Sequence, residues 1–390
     1  MKRRGRRTRA ILVATAFLAQ GTLMPPARGY VLNRTIAASG GCPQLSRHRA
    51  DAGRIDRRWS TVLESPIRTV ASDATGRQSE VRDSIERSFA VWTSVAGSAL
   101  RPSSLASLQS TSARNACNNL DGINSICFSQ SGGFSTGVLA FTRTMTSDRV
   151  GESLGGKTSS FIGEILDSDI RFRPDGQFTF ATPGALSGSH FDLESVLIHE
   201  LGHFLGFNHS GIWRAMMYPF APNRGTFTGD RPTMDKPDGP LADDERAGLR
   251  VLYPDPNDTA FVGAIRGFVL PANPLALADL PSPSPGRTVT GIFGAQVVAV
   301  DAETGAVMAS VFAGWSCNAN EPPTRFDGFY ELAGLPVGKS YKLYAEPLDG
   351  PVDSGNISVF LGDLCRNDVP TPCTVPTVFT RFSTRSRLQP

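Results

Sequence analysis

The feature that most constrains this chain is a short run that reads HELGHFLGFNH. Its first two histidines, His199 and His203, are four residues apart, so on a helix they lie on one face, one turn apart. Gly206 suits the backbone conformation with which helices end, so the chain can turn back and bring His209 to the same place. The pattern therefore predicts a helix over Leu193–Phe207, with Asp192 at its N-cap position, followed by a turn that gathers three imidazoles.

Three imidazoles in this arrangement predict one zinc site with His199, His203 and His209 as ligands. Neutral imidazole is a good zinc ligand, and three protein ligands leave one coordination position open, as in catalytic sites. Glu200 is rotated by about 100° around the helix axis from His199, so it lies beside the metal position and is predicted to be a general base. The alternatives are a helix with surface histidines and a zinc-binding relic without activity; the retained Glu200 argues against a relic.

The motif resembles the metzincin clan, and within it the matrixins, whose pattern is H-E-x-x-H-x-x-G-x-x-H with a downstream Met-turn. The third histidine is followed by Ala215-Met-Met-Tyr-Pro219, and matching by position makes Met217 the Met-turn residue and Met216 its neighbour. The resemblance covers about residues 58–254. Other similar features are the serine after the third histidine and parts of the first and last helices: Ser210, Ser88–Trp92 and Asp243–Tyr253.

This resemblance implies an α+β catalytic domain with a twisted mixed sheet and the active-site helix. It also implies an extracellular-matrix-type peptidase, in which a zinc-activated water, with Glu200 as general base, hydrolyses peptide bonds in protein or peptide substrates. Gly137–Thr142 would be the edge strand that pairs with extended substrate. The substrate-binding residues would then be Leu139, Ala140 and Pro219.

The sequence also departs from the animal matrixins. Their second, structural zinc takes a ligand from a Leu-Ala-His-Ala strand, but Phe141 stands at that histidine position, so we expect one zinc. The pocket segment reads Tyr218-Pro-Phe-Ala221 where the family usually has Tyr-Pro-x-Tyr. Asp167 and Asp169 supply oxygen atoms that a calcium ion could use, although a solvated pair of acids is the alternative.

The first 29 residues have the layout of a secretory signal peptide: a basic start, an apolar run at Ala10–Ala19, and small residues at Ala27–Gly29. An uncleaved anchor is the alternative, but the run is short for a bilayer. Removing this segment with its seven positive charges turns the net charge of +3 into −4, which leaves no basic surface for nucleic acid. We expect a secreted or cell-envelope monomer without a transmembrane segment.

An even number of cysteines behind a signal peptide predicts disulfide bonds. Cys117 and Cys127 bracket a short loop and are expected to pair. Cys42 either forms a disulfide or binds the zinc as an inhibitory thiolate. The six cysteines are Cys42, Cys117, Cys127, Cys317, Cys365 and Cys373.

Hydrophobic patterns divide the rest of the chain. A helix is predicted at Ser79–Val95 and another at Asp243–Tyr253, with a first strand at 58–70 and further strands at Ile123–Phe128 and Ile165–Phe172. Residues 254–258 read as a linker. The predicted domains are a signal peptide at 1–29, an N-terminal extension at 30–57, the matrixin-like domain at 58–255, a C-terminal domain at 260–350 and a tail at 351–390.

Short apolar runs between turn signals predict that the C-terminal domain is an all-β sandwich. Asp327-Gly-Phe-Tyr330 and Gly334-Leu-Pro-Val-Gly338 resemble the carboxypeptidase regulatory-like, transthyretin-type sandwich. The predicted strands are Phe261–Leu270, Gly294–Val300, Val307–Phe312, Gly328–Leu332 and Tyr341–Glu346.

Three functions fit these patterns. The first is a secreted zinc-dependent endopeptidase. The second is a cell-surface adhesion or binding protein whose metalloprotease domain is vestigial. The third is a peptidase that cleaves a single partner protein.

Overall fold

The structure is a computed structural model that describes residues 32–100, 121–273 and 288–346, except for positions 36, 40, 52–53, 56–62, 65–73, 123, 128–133, 135–136, 174–177, 213, 293, 315 and 317–324. The predicted signal peptide, the C-terminal tail and most of the predicted first strand at 58–70 lie outside the described residues.

The three predicted helices are all present. Helix α1 spans Ala74–Thr93, so it begins and ends slightly earlier than the predicted Ser79–Val95. A short 3-10 helix spans Pro183–Ala185. Helix α2 spans Leu193–Leu205, and helix α3 spans Asp243–Leu252. Within the part of the chain that the structure describes, none of the helices has the length and apolar character needed to cross a bilayer.

The N-terminal two thirds of the chain contain a four-stranded mixed sheet in the order β5–β6–β10–β7. Strands β5, β6 and β10 run parallel, and β7 pairs antiparallel with β10 at one end of the order. The strands of this region are β1 (Arg34–Thr35), β2 (Gln44–Leu45), β3 (Ala50–Asp51), β4 (Arg54–Ile55), β5 (Leu63–Glu64), β6 (Ser125–Cys127), β7 (Ala140–Thr146), β8 (Ser153–Leu154), β9 (Lys157–Thr158), β10 (Ile165–Phe172), β11 (Phe180–Ala181) and β12 (Phe191–Asp192).

Helices α1 and α2 pack against each other, and α2 also packs on β7 and β10. Trp92 on α1 is fully buried, and its Nε1–H donates to the carbonyl of Ile198 on α2 at 2.9 Å. Phe204 and Phe207 are buried in the same core. Burying a large apolar side chain contributes about 1.5–3 kcal/mol, so these side chains hold α1 against α2. The arrangement is the expected α+β architecture.

The C-terminal region contains only strands among its described residues. Strand β13 pairs antiparallel with β18, while β15 lies between β16 and β19 in a second antiparallel sheet. The predicted strands at 307–312 and 341–346 coincide with β16 and β19; closure into a sandwich stays a prediction. The strands are β13 (Gly263–Phe268), β14 (Thr288–Val289), β15 (Gln296–Asp301), β16 (Val307–Phe312), β17 (Arg325–Phe326), β18 (Phe329–Leu335) and β19 (Tyr341–Glu346).

Helix α3 joins the two regions, because strands β16 and β18 pack directly on it. Arg250 of α3 donates to the carbonyl of Gly334 at 3.3 Å, and its guanidinium lies 3.8 Å from the ring centroid of Phe261. The predicted linker at 254–258 is also attached: the Asp255 N–H donates to the carbonyl of Gly97 at 3.2 Å. The two regions therefore share one hydrophobic core.

Gly334 tests this junction. It has a φ of 71°, and a Cβ there would overlap the carbonyl oxygen of Ala247 on α3. Gly305 has a similar φ of 73° but open space around it, so it is a matched control. We expect Gly305→Ala to lower the free energy of unfolding by about 1 kcal/mol from backbone strain alone. Gly334→Ala should lower it by about 3 kcal/mol, because steric overlap is added.

The measurement is chemical denaturation of both variants and the wild type. Equal losses for the two variants would show that the C-terminal strands do not press against α3 in solution.

Candidate metal centre

The active-site helix α2 has defined signals at both ends. At its start, the Asp192 carboxylate accepts the Ser195 N–H at 2.9 Å, which caps the helix. At its end, Gly206 adopts the left-handed conformation, with a φ of 107°, and its N–H bonds back to the helix. A Cβ at this position would overlap the carbonyl oxygen of Ser46, so the turn requires glycine. The helix and its turn match the prediction.

The turn brings the three predicted ligands together. The ligand atoms of His199, His203 and His209 all lie within 4.8 Å of one another, and the ring centroids are 4.7–5.4 Å apart. Within the described ranges, this is the group of histidine, cysteine and acidic side chains that is compact enough to hold a metal ion. Cys42 is buried and does not belong to it, so this geometry does not support the inhibitory thiolate.

Hydrogen bonds fix the orientation of the first two imidazoles. His199 Nδ1 lies 2.7 Å from the carbonyl oxygen of Met216, and His203 Nδ1 lies 3.0 Å from that of Phe207. A carbonyl only accepts, so each Nδ1 carries the proton and each Nε2 keeps a lone pair for a metal. Burial lowers the pKa of His199 to about 3 and also lowers that of His203, which keeps both rings neutral.

These residues fit a zinc ion. Three imidazole nitrogens converge, and in two of the rings the second nitrogen already bonds to a carbonyl. Three protein ligands leave a position open for water or substrate.

Glu200 is buried beside the histidine cluster. Burial raises the pKa of its carboxyl group to about 7, and a hydrogen bond from Thr142 acts in the opposite direction. Thr142 Oγ1 lies 2.6 Å from Glu200 Oε2 and therefore fixes the carboxylate. The sequence pattern placed Thr142 only at the end of the predicted edge strand and not against Glu200, because this contact joins a strand and a helix 58 positions apart.

Met217 lies beneath the helix. A Cβ added to Gly202 would overlap the Met217 Sδ, so the two residues are in close contact. The Met217 N–H donates to the Glu245 carboxylate at 2.9 Å, and the Met217 carbonyl accepts the Ser210 N–H at 2.8 Å. Met216 instead offers its carbonyl to His199. This geometry fits the assignment of Met217, rather than Met216, to the Met-turn.

Two of the predicted substrate residues, Leu139 and Ala140, lie just before and at the start of β7, the last strand in the described sheet order. Ala140 begins β7 and pairs with Phe172, and the carbonyl of Leu139 accepts the Arg173 N–H at 2.9 Å. Pro219 is half-buried, two residues after Met217. The structure brings Met217 to the helix and leaves the substrate contacts of Leu139, Ala140 and Pro219 as predictions.

Asp167 and Asp169, considered above for calcium, are buried on β10 rather than solvated. Asp167 Oδ2 accepts the Gly122 N–H at 2.6 Å, whereas one oxygen of each carboxylate has no hydrogen-bond partner among the described atoms. Burial, followed by the charges of Asp167 and Asp121, raises the pKa of Asp169 to about 8.

The raised pKa of Asp169 predicts a pH dependence. The folded state binds this proton more tightly than the unfolded state, so the contribution to stability is lost as pH rises from about 4 to about 8. We expect Asp169→Asn to flatten the decline in unfolding free energy across pH 5–8 in calcium-free buffer, measured by denaturation. A wild type and variant with the same slope would contradict this. If millimolar calcium reverses the slope of unfolding free energy against pH in the wild type but not in Asp169→Asn, a bound cation is indicated.

Two kinds of comparison relate this site to known proteins. Residues 140–249, from β7 to α3, match the sequence model of the Matrixin family. The chain is 45% identical to Metalloendoproteinase 1 of Glycine max over 65 residues, which are 17% of this chain and 18% of that protein. It is 29% identical to Metalloendoproteinase 2-MMP of Arabidopsis thaliana over 108 residues, 26% of each chain. It is 34% identical to Matrix metalloproteinase-25 of Homo sapiens over 105 residues, 26% of this chain and 17% of the human one.

The matches thus span about a quarter or less of the length of these relatives. The region that matches the Matrixin family model contains the histidine cluster, and together with the relatives it supports a matrixin-like metzincin domain. Together they support a zinc metalloendopeptidase of the matrixin type.

Proposed function

We propose that this protein is a secreted zinc-dependent endopeptidase that hydrolyses peptide bonds in proteins or peptides. The observation that carries the proposal is the convergence of three imidazoles beside the buried carboxylate of Glu200, inside the region that matches the Matrixin family. His199, His203 and His209 would hold one zinc ion. We propose Met217 as the Met-turn residue that supports the helix from below.

The chain's own residues supply the proton transfers. When bound, a zinc ion polarises a peptide carbonyl and lowers the pKa of water. Glu200 takes the proton from the attacking water and then delivers it to the leaving amine, which requires a carboxylate held in one orientation. The hydrogen bond from Thr142 supplies that orientation. The carbonyls of Met216 and Phe207 keep the lone pairs of His199 and His203 directed at the metal.

Strand β7 offers a route for substrate binding. It lies at one end of the described sheet order, with β10 on its other side, so an extended peptide could add as a further strand through main-chain hydrogen bonds. Leu139 and Ala140 at its start and Pro219 after Met217 would contact such a peptide. Main-chain pairing favours extended substrates over any particular sequence.

The remaining features of the proposal concern the location of the protein. The basic and apolar first segment supports a secreted or cell-envelope monomer. The six cysteines support disulfide bonds in such a protein. Cys42 is buried, as disulfide-bonded cysteines usually are. Calcium at Asp167 and Asp169 is part of the same proposal as a structural ion.

The main alternative is an adhesion or binding protein with a vestigial catalytic domain. Cleavage of casein or gelatin that a chelator abolishes and zinc restores would exclude it. A peptidase for a single partner protein would leave these generic substrates intact and show a chelator-sensitive cut in that partner.

Substitution of the general base tests the mechanism. We expect Glu200→Ala to keep zinc and fold but to lower kcat by about 10²–10⁴-fold, the usual contribution of a general acid or base. Glu194→Gln is a matched control, because Glu194 is a buried acid on the same helix that pairs with Arg87 instead. Peptide hydrolysis and zinc content would be measured together. Undiminished cleavage by Glu200→Ala would refute the mechanism.

The contact between Thr142 and Glu200 gives a finer test. Thr142→Val keeps the shape of the side chain and removes the hydroxyl donor. We expect kcat to fall about tenfold with little change in KM, because the lost hydrogen bond contributes about 1.4 kcal/mol. Thr142→Ser restores the hydroxyl and should restore most of the rate. Equal rates for the Val and Ser variants, at equal zinc content, would show that the hydroxyl does not position Glu200.

A further inference from the structure

The segment before the matrixin-like domain is built into the metal centre. We name residues 32–49 the N-terminal clasp, excluding positions 36 and 40. Its strands β1 and β2 pair antiparallel, and the Ser46 N–H donates to the carbonyl of Asn33 at 2.7 Å. The clasp runs past the C-terminal end of α2, where Leu32 forms an antiparallel bridge with Phe207. The sequence pattern showed only a polar extension here.

The clasp and Tyr253, the residue that follows α3, donate to the last carbonyls of helix α2. A helix leaves its final four carbonyls without partners inside the helix, so a buried helix end needs other donors. His48 Nε2 lies 2.9 Å from the Phe204 carbonyl and must donate to it. The Tyr253 hydroxyl donates to the Leu205 carbonyl at 2.8 Å. The same hydroxyl accepts the backbone N–H of His48 at 3.1 Å. Burial lowers the pKa of His48 to about 3, so its ring is neutral.

Asn33 holds the turn between the second and third predicted ligands. Its backbone N–H donates to the carbonyl of Gly206 at 2.8 Å. Its side-chain amide donates to the Phe207 carbonyl at 3.1 Å, and that carbonyl also accepts the proton of His203 Nδ1 at 3.0 Å. A carbonyl oxygen has two lone pairs and can accept both. Asn33 therefore orients the Phe207 carbonyl, which in turn orients the His203 ring. Phe207 lies two residues before His209.

Close backbone packing fixes the clasp in this place. A Cβ on Gly206 would overlap the carbonyl of Ser46, and a Cβ on Gly163 would overlap that of Leu45. Arg47 continues the sheet, because its N–H donates to Gly163 at 2.9 Å and its carbonyl accepts the Ile165 N–H at 2.8 Å. The clasp thus lies between α2 and the start of β10, with little room to shift.

We propose that the N-terminal clasp is a permanent part of the catalytic centre, in which Asn33 positions the turn that carries His203 and His209. The inference rests on the proposed zinc site. It assigns the clasp a role opposite to that of a removable segment: cleavage that removes it weakens zinc binding instead of activating the enzyme.

Two substitutions of Asn33 test the positioning role in the full chain. Asn33→Asp keeps the size of the side chain but presents an acceptor to the Phe207 carbonyl, and Asn33→Ala removes the contact. Thr35→Val is the matched control, since the Thr35 side chain hydrogen-bonds Ser46 of the clasp and Thr146 of β7 rather than α2. The readouts are the zinc dissociation constant, by competition with a chromogenic chelator, and the thermal midpoint of the zinc-free protein.

We expect Asn33→Asp to weaken zinc binding about 10-fold or more, as loss of the partners of a ligating histidine does. Asn33→Ala should show a smaller effect, and Thr35→Val should leave the zinc dissociation constant unchanged even where it lowers the thermal midpoint. If the wild type binds zinc and both Asn33 variants bind it with the same affinity, the positioning role of Asn33 is overturned and the proposed function is not. A wild type that binds no zinc would overturn the proposed function as well.

The mature N-terminus provides the second readout. Mass spectrometry of the active protein should find that it begins at or before Leu32. A fully active species that begins after His48 would overturn the proposal, whatever the affinities of the point variants.

Discussion

The turn at Gly206 is the constraint on which the rest of this structure depends. A helix can present His199 and His203 to one metal ion by its own periodicity, but the third ligand requires the chain to reverse direction within a few residues. Only a left-handed residue without a Cβ fits, because the carbonyl of Ser46 lies against it. The reversal leaves the last carbonyls of α2 buried and without partners inside the helix. Donors from distant parts of the chain must therefore reach them.

Helix α3 supplies acceptors to the chain that follows the turn. Glu245 accepts the N–H of Met217 beneath the metal centre, while Asp244 accepts both the Ser210 hydroxyl at 2.8 Å and the Ser310 N–H of β16 at 2.6 Å. Burial raises the pKa of Glu245 to about 8 and that of Asp244 to about 6, so these contacts hold acids in a costly environment. Strand β16 and the loop after His209 therefore bond to the same carboxylate of α3.

The sequence predicts what local signals encode. The spacing of the histidines, the cap at Asp192 and the glycine at the helix end are read within about fifteen residues, and the helix bounds agree with them. Asn33, His48 and Thr142 carry no such signal, because their partners lie 58 to 174 positions away and only the folded chain brings them together. The same reason explains the clasp: its polar composition matches a loose extension, while its packing depends on glycines far along the chain.

Strand β7 illustrates how a departure from a family pattern can be compensated. Where animal matrixins use a histidine for a structural metal, this chain has Phe141, whose ring lies 5.0 Å from that of Phe134 and 5.2 Å from the Arg171 guanidinium. Aromatic and cation–π contacts each contribute about 0.5–1.5 kcal/mol, and β7 also pairs with β10 along its whole length. Packing of this kind can hold the edge strand without a metal ligand at Phe141. One position further along the same strand, Thr142 hydrogen-bonds Glu200, so the strand proposed to pair with substrate also orients the proposed general base.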